Sequence, residues 1–381
     1  MLRSRRMKIK SVQARKVSYR ESYERDALAL RAGSEHYMDV LVVMVETVDG
    51  AVGVGESLSY GGIDTVASAV EKMLAPLVIG QESYGVRSLW ERMYKATYRL
   101  GRRGLVISAI SGVDTALWDL LGKELGSPVY KLLGAARRPI KGYITGGYYR
   151  EDKDIKKLVE EEKSYVQAGF DTVKIKIGGL SMKEDLERVF AVREALGKQV
   201  SIACDANNVY DLNTAMRVGR ELEKLGVIFF EEPIMTDYPD LSASLARSLD
   251  MPIAGYETAY TQFEYRDLIE KHAVDIVQAD ASWNGGITEL LNIGTLASAH
   301  GLPLIPHYSA GGIGFVASLH AAAAIGSPMI EYHLRPNPLR KKLAGDAIKY
   351  ESGSFQLPDK PGLGVSIQPE VFEEFKLAEA A

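Results

Sequence analysis

Ile202-Ala-Cys-Asp-Ala-Asn207, Ile228-Phe-Phe-Glu-Glu-Pro233 and Ile253-Ala-Gly-Tyr-Glu-Thr258 decide the fold, because Asp205, Glu231 and Glu257 follow one another at intervals of 26 residues. Each acid follows a short apolar run of β-strand character, at 200–203, 227–230 and 253–254. Such an interval holds one strand, one helix and two loops, which sets the three acids at the same end of neighbouring parallel strands. Three carboxylates gathered there form a site for a hard cation.

The same strand-and-helix alternation extends outward on both sides. Strands are predicted at 140–144, 172–177, 200–203, 227–230, 252–254, 276–279, 303–306 and 329–331, with amphipathic helices between them at 155–168, 183–196, 214–225 and 286–299. Eight strands alternating with helices make an α/β barrel of the TIM type, whose strand C-termini share one mouth. Upstream the pattern changes. Segments 40–47 and 51–55 read as a hairpin through Val48-Asp49-Gly50, and helices are expected at 65–77, 86–98 and 107–125. This is an α+β cap over residues 1–135, with the barrel at 136–335 and a C-terminal tail at 336–381.

A chain of 381 residues is long enough for two cores. Its net charge of −4 gives no reason to expect nucleic acid or an anionic membrane as partner. The single cysteine, Cys204, excludes an intrachain disulfide framework and alternates away from Asp205. Arg3, Arg5 and Arg6 are not followed by an apolar leader segment. No stretch is read as reaching the ~18–20 apolar residues of a membrane span, so a soluble, cytoplasmic protein is expected.

Seven strand ends carry a reactive side chain: Lys176, Asp205, Glu231, Glu257, Asp280, His307 and Glu331, at gaps of 29, 26, 26, 23, 27 and 24. Asp205, Glu231 and Glu257 offer only oxygen, which suits a hard cation, Mg2+ first. Glu232 competes with Glu231, but alternation sends the two to opposite faces, and Glu231 shares the face of Phe229. Asn207 lies on the face of Asp205, as a neighbour of the metal or a contact to substrate. Lys174 and Lys176 in Val173-Lys-Ile-Lys-Ile-Gly178 face one side together, where mutual charge and burial are expected to depress their pKa and free an amine as general base. Asp280 and His307 end adjacent strands as a second acid/base pair, the aspartate holding the imidazole in one tautomer. Glu331 is either a protonated donor to substrate or a partner for a cation. His36, His272, His300 and His320 are read as structural, and His333 as a weak candidate.

With these residues the chain resembles the enolase superfamily, and within it the mandelate racemase subgroup. Besides Lys-x-Lys, Asp-x-Asn, Glu-Glu-Pro and Glu257, the segment Ser111-Gly-Val-Asp-Thr-Ala-Leu-Trp-Asp-Leu-Leu-Gly-Lys-Glu-Leu-Gly-Ser-Pro-Val-Tyr-Lys-Leu-Leu-Gly134 is similar to the family's helical signature. The resemblance implies a (β/α)7β barrel, a cap completed by the C-terminal tail, one Mg2+ on Asp205, Glu231 and Glu257, and removal of a proton next to a carboxylate. It selects Glu231 over Glu232. It also implies Lys176 as base, Lys174 as its electrostatic companion, Glu331 as a hydrogen-bonding partner of the enediolate, and a homo-oligomer, dimer or octamer. Gln278-Ala-Asp-Ala-Ser-Trp-Asn-Gly-Gly286 lacks the lysine expected of the muconate-lactonizing relatives, so Asp280 and His307 place the chain with the racemase type. Tyr256 departs from the family, where glycine commonly precedes the third ligand.

The expected substrate is a small carboxylate. Among subgroup reactions, dehydration of an acid sugar to a 2-keto-3-deoxy acid is favoured over racemisation or epimerisation of a 2-hydroxy acid. The reason is a cap rich in groups that bind a polyol: Arg20, Glu21, Tyr23, Ser57, Ser59 and Tyr60, with Tyr148 and Tyr149 after the first barrel strand. A barrel kept only for binding would have lost a ligand or a base, and every position is filled.

Overall fold

In a computed structural model of the chain, residues 7–19, 24–32 and 38–377 are described. Three strands, β1 (Ile9–Tyr19), β2 (Met38–Thr47) and β3 (Val52–Leu58), form an antiparallel sheet in that order. The β2–β3 turn falls at Val48-Asp49-Gly50, where Gly50 takes φ +87° and the Thr47 hydroxyl donates to Asp49 at 2.5 Å. Against this sheet lies the helix Leu105–Glu124. A Cβ at Gly53 or Gly55 would collide with the carbonyls of Ala116 or Gly112, so the Gly-x-Gly of β3 lets strand and helix backbones meet.

That helix corrects one expectation: by length and composition it could cross a membrane, the one such helix among the described residues. Most of it is buried in the protein, because its apolar side chains pack against β2, β3 and the helices around them.

The second sheet runs through β4 (Ile140–Gly146), β5 (Thr172–Lys176), β6 (Ser201–Asp205), β7 (Val227–Glu231), β8 (Ile253–Gly255) and β9 (Ile276–Val277), all parallel. β10 (Ile330–Tyr332) pairs back onto β4 and closes the ring. The seventh strand expected at 303–306 is reduced to a bridge between Val277 and Leu304. Its place is held by single backbone bonds, Ile305 N to Val277 O and Glu331 N to Pro306 O. Pro303 and Pro306 have no N–H to donate, which is why a regular ladder does not form there.

Tyr143, Ala203, Phe229, Ala254 and Ile305 pack together as the filling of the barrel. Since Phe229 points inward, Glu231 two residues on does the same. Outside the ring the helices cover a larger apolar shell. Their N-termini carry the caps their sequences promise: Asp154 and Asp211 accept from backbone N–H groups, and Ser181 with Glu184 forms a reciprocal capping box. The C-terminal segment adds β11 (Tyr350–Glu351) and β12 (Ser354–Phe355), the latter antiparallel to β4. It then returns to the first sheet, bridging Gly362 to Pro128 and Lys376 to Val17.

Candidate active site

β5 presents Lys174 and Lys176 to the barrel interior while Val173 and Ile175 are buried on its other face. Lys174 Nζ lies 2.5 Å from Glu231 Oε1, 2.8 Å from Glu331 Oε1 and 3.5 Å from Asp205 Oδ2. Lys176 Nζ pairs with Asp205 Oδ2. These contacts overturn the expected depression of the lysine pKa. Burial does push both ammonium groups down, but Glu231 and Glu331 around Lys174, and Asp205 beside Lys176, more than offset it and hold both above the usual lysine value. The sequence places the two lysines together; it does not show that each acquires carboxylate neighbours from other strands.

β6 and β7 end in register, Asp205 opposite Glu231. Burial raises Asp205, yet Lys176 and Lys174 together bring it below the ordinary range. For Glu231, burial dominates over Lys174 and the carboxyl is raised. Its second oxygen accepts from Gln278 Nε2 at 2.7 Å. Glu232 takes φ +42° and turns out of the ring, accepting from Asn208 Nδ2 at 2.6 Å and Thr258 Oγ1 at 2.9 Å. Glu257 lies two residues beyond β8, where its carboxylate meets His307 Nε2.

His307 Nδ1 is 3.0 Å from Asp280 Oδ2. Burial lowers the imidazole pKa, but Glu257 and Glu331, with the Asp280 hydrogen bond, hold it well above the usual histidine range. Both ring nitrogens thus face carboxylate oxygens, an arrangement that favours the imidazolium. Glu331 is ionised: burial raises it, and Lys174 and His307 bring it below its ordinary value. Thr145 Oγ1 donates to it, as does Tyr308 N at 3.2 Å. It is thus a partner for a cation and not a protonated donor. His333 Nε2 donates to Tyr308 O at 2.7 Å, and burial first, then Arg335 and Arg340, hold its pKa well down.

Among the described residues no three His, Cys, Asp or Glu side chains are turned onto one point for a metal. Asp205 and Glu231 are turned to lysines and Glu257 to His307. The donor set nevertheless fits a hard cation. It is all carboxylate oxygen on three adjacent strands, and Asn207 Oδ1, buried beside Asp205, has no hydrogen-bond partner. Asn207 itself takes φ +43° and donates its N–H to Asp205 Oδ1 at 2.9 Å.

The cap-side expectations divide. The Tyr148 ring is brought to the site, 5.1 Å from Lys176 Nζ and 4.4 Å from Arg335 Cζ. Tyr60 stands at the mouth, edge-on to Trp283 at 5.2 Å. Ser57 and Ser59 are not free for a polyol, since they donate to Ser108 O and Asp39 O in the interior of the cap. Tyr149 is also spoken for: its hydroxyl donates to Asp185 Oδ1 at 2.6 Å. Tyr256 is wholly buried with its hydroxyl on Ser242 Oγ, so the family departure there shapes the core. Arg20, Glu21, Tyr23 and His36 lie outside the described residues.

Several site residues escaped the sequence reading. Gln278 reaches both Glu231 and, at 3.3 Å, the Tyr143 hydroxyl; its position two residues before Asp280 was the available signal. Arg188 donates to Lys176 O at 2.9 Å and to Gly147 O at 2.5 Å, anchoring the end of β5. No spacing marks it, because its targets are main-chain oxygens.

Residues 15–134 match the mandelate racemase / muconate lactonizing enzyme N-terminal domain family, and residues 157–371 match the enolase C-terminal domain-like family. The chain belongs to the enolase superfamily, in its mandelate racemase group. Within the superfamily it is 54% identical to the arabinonate dehydratase of Saccharolobus solfataricus, over 97% of this chain and 99% of that protein. The D-galactarolactone cycloisomerase of Agrobacterium fabrum is 31% identical over 97% of this chain and 99% of its own length. Among solved superfamily structures, the L-talarate/galactarate dehydratase of Salmonella typhimurium LT2, liganded with Mg and L-lyxarohydroxamate, superposes with a TM-score of 0.87 at 29% identity. That match covers 97% of this chain and 93% of the other.

Proposed function

We propose that this chain is a hydro-lyase that removes water from a sugar acid, an aldonate or aldarate, to give a 2-keto-3-deoxy acid. One observation carries the reading: Lys176 closes one end of the arc Asp205, Glu231, Glu257, and His307 closes the other. The near full-length similarity to a sugar-acid dehydratase supports it.

Asp205, Glu231 and Glu257 would hold Mg2+. Bound there, the ion would supply positive charge to a substrate carboxylate. Lys176, in its neutral form, accepts the proton from C2. The electron pair moves into the carboxylate as an enediolate, which Lys174 stabilises by charge, with Glu331 holding Lys174 in place. His307 gives its proton to the departing C3 hydroxyl, which leaves as water, and the resulting enol ketonises. Asp280 keeps the imidazole oriented throughout. Asn207, Tyr148, Tyr60 and Arg20 are the proposed substrate contacts. The cap is proposed to comprise 1–135 with 336–381 over a barrel of 136–335, in a homo-oligomer that light scattering would size.

The test is a panel of aldonic and aldaric acids incubated with protein and Mg2+, with 2-keto product trapped by semicarbazide. Absence of signal across the panel rejects dehydration. The same pair of groups could return a proton to the opposite face of C2, which is racemisation or epimerisation. Solvent deuterium entering C2 without loss of hydroxyl would favour that second reading.

A further inference from the structure

The seventh-strand loop that carries His307 is tied to the cap by a buried carboxylate. Glu56, near the end of β3, is buried, and its carboxylate reaches across to the loop after His307. Oε1 accepts from Gly311 N, and Oε2 accepts from Gly314 N at 2.9 Å, at the start of the helix Gly312–Ile325. Burial pushes its carboxyl up to about 7, against the opposing pull of the backbone N–H groups of Gly314, Gly311 and Ile313. The approach is close: a Cβ on Gly311 would lie 3.0 Å from both carboxylate oxygens. The same loop residue is gripped from the other side, since Tyr308 OH donates to Gly311 O at 3.1 Å.

The strand makes a second connection to the same dyad. Leu58 N donates to Ser282 O at 3.0 Å, and Ser282 donates through both N–H and hydroxyl to Asp280 Oδ1 at 2.7 and 2.6 Å. Asp280 then holds His307. One short piece of β3 thus fixes the backbone on both sides of the Asp280–His307 pair. Lys176, across the site, is anchored by Arg188, which donates to its main-chain oxygen at 2.9 Å.

We infer that Glu56 is a positioning residue for His307, so that the cap sets the geometry of the acid that protonates the leaving hydroxyl while the base at Lys176 is independent of it. This rests on the dehydration reading. Its consequence is a split: loss of Glu56 slows water loss more than it slows removal of the C2 proton.

The experiment compares wild type, Glu56→Gln and, as a second route to the same loop shift, Gly311→Ala, each with Mg2+ and the sugar acid that wild type dehydrates best. Two rates are read in D2O: formation of 2-keto product, and deuterium incorporation at C2 of recovered substrate. The expected result for both variants is a fall in product formation of about 10- to 100-fold, with KM near wild type and exchange at C2 retained. Glu56→Asp, keeping the carboxyl on a shorter arm, should restore part of the loss. Equal decline of exchange and product in both variants would mean general damage and overturns the inference, as does wild-type product formation in both. If one variant fails to fold, the other decides. If wild type itself yields no 2-keto product from any acid, the dehydration reading falls first and this inference with it.

Discussion

The Asp280 carboxylate bridges two neighbours: His307 Nδ1 at 3.0 Å on one oxygen and the Ser282 hydroxyl at 2.6 Å on the other. An aspartate fixed on its far side can only hold the imidazole in one orientation, with Nε2 directed to the mouth. Asp280→Asn keeps the shape but removes the charge that supports the ring as a cation. Product formation should fall about 100-fold with circular dichroism and unfolding midpoint unchanged; turnover equal to wild type would refute the role.

Removal of divalent ions should abolish turnover, and Mg2+ should restore it. Independently of activity, Mg2+ should raise the unfolding temperature of the wild type by roughly 2 °C or more, since it binds only the folded chain. Asp205→Asn and Glu231→Gln should show no such rise. A wild-type shift that persists in both variants would place the ion elsewhere.

Asp114, on the helix Leu105–Glu124, accepts from Thr288 N at 2.9 Å and Thr288 Oγ1 at 2.6 Å. Burial pushes its carboxyl up to about 7 against the Thr288 bonds, from 3.8. Between those values the folded chain binds the proton and the unfolded chain has lost it, so stability declines as pH rises through that window. The slope is at most about 1.4 kcal/mol per pH unit. Urea unfolding at about pH 5 and about pH 8 should show a smaller decline in Asp114→Asn than in wild type; identical slopes would argue against the assignment.

Gly53→Ala should destabilise the cap by about 1–3 kcal/mol, because the added methyl meets the Ala116 carbonyl and neither backbone can retreat. Gly50→Ala meets open space and tests only the positive φ of the turn. Thermal unfolding of the two variants separates the effects. A Gly53→Ala midpoint equal to wild type would show that strand and helix can move apart.

The barrel was legible because parallel strands and their helices repeat at nearly constant length, and a reactive residue at seven of the eight expected strand ends keeps that beat. Where the chain broke the rule, the cause is chemical: the prolines at 303 and 306 remove two donors from the seventh strand, although its position in the ring is kept. Alternation allowed only one of Glu231 and Glu232 to face inward, the family resemblance selected Glu231, and the packing of Phe229 in the barrel supports it.

Residue identity and spacing by themselves determined the ring of strands, the placing of Asp205, Glu231 and Glu257 at or just past the ends of three neighbouring strands, and the pairing of Asp280 with His307. These depend on periodicities of two and of one strand–helix unit, which are written along the chain. Tertiary structure alone decided the charge state of the lysines, the neutralised role of Glu331, the hydrogen bond from Gln278 to Glu231 and the reach of Glu56 to Gly311. Each of those arises between groups 24 to 255 residues apart whose energies fall steeply with distance. Only their final separation in the folded chain gives them a sign and a size.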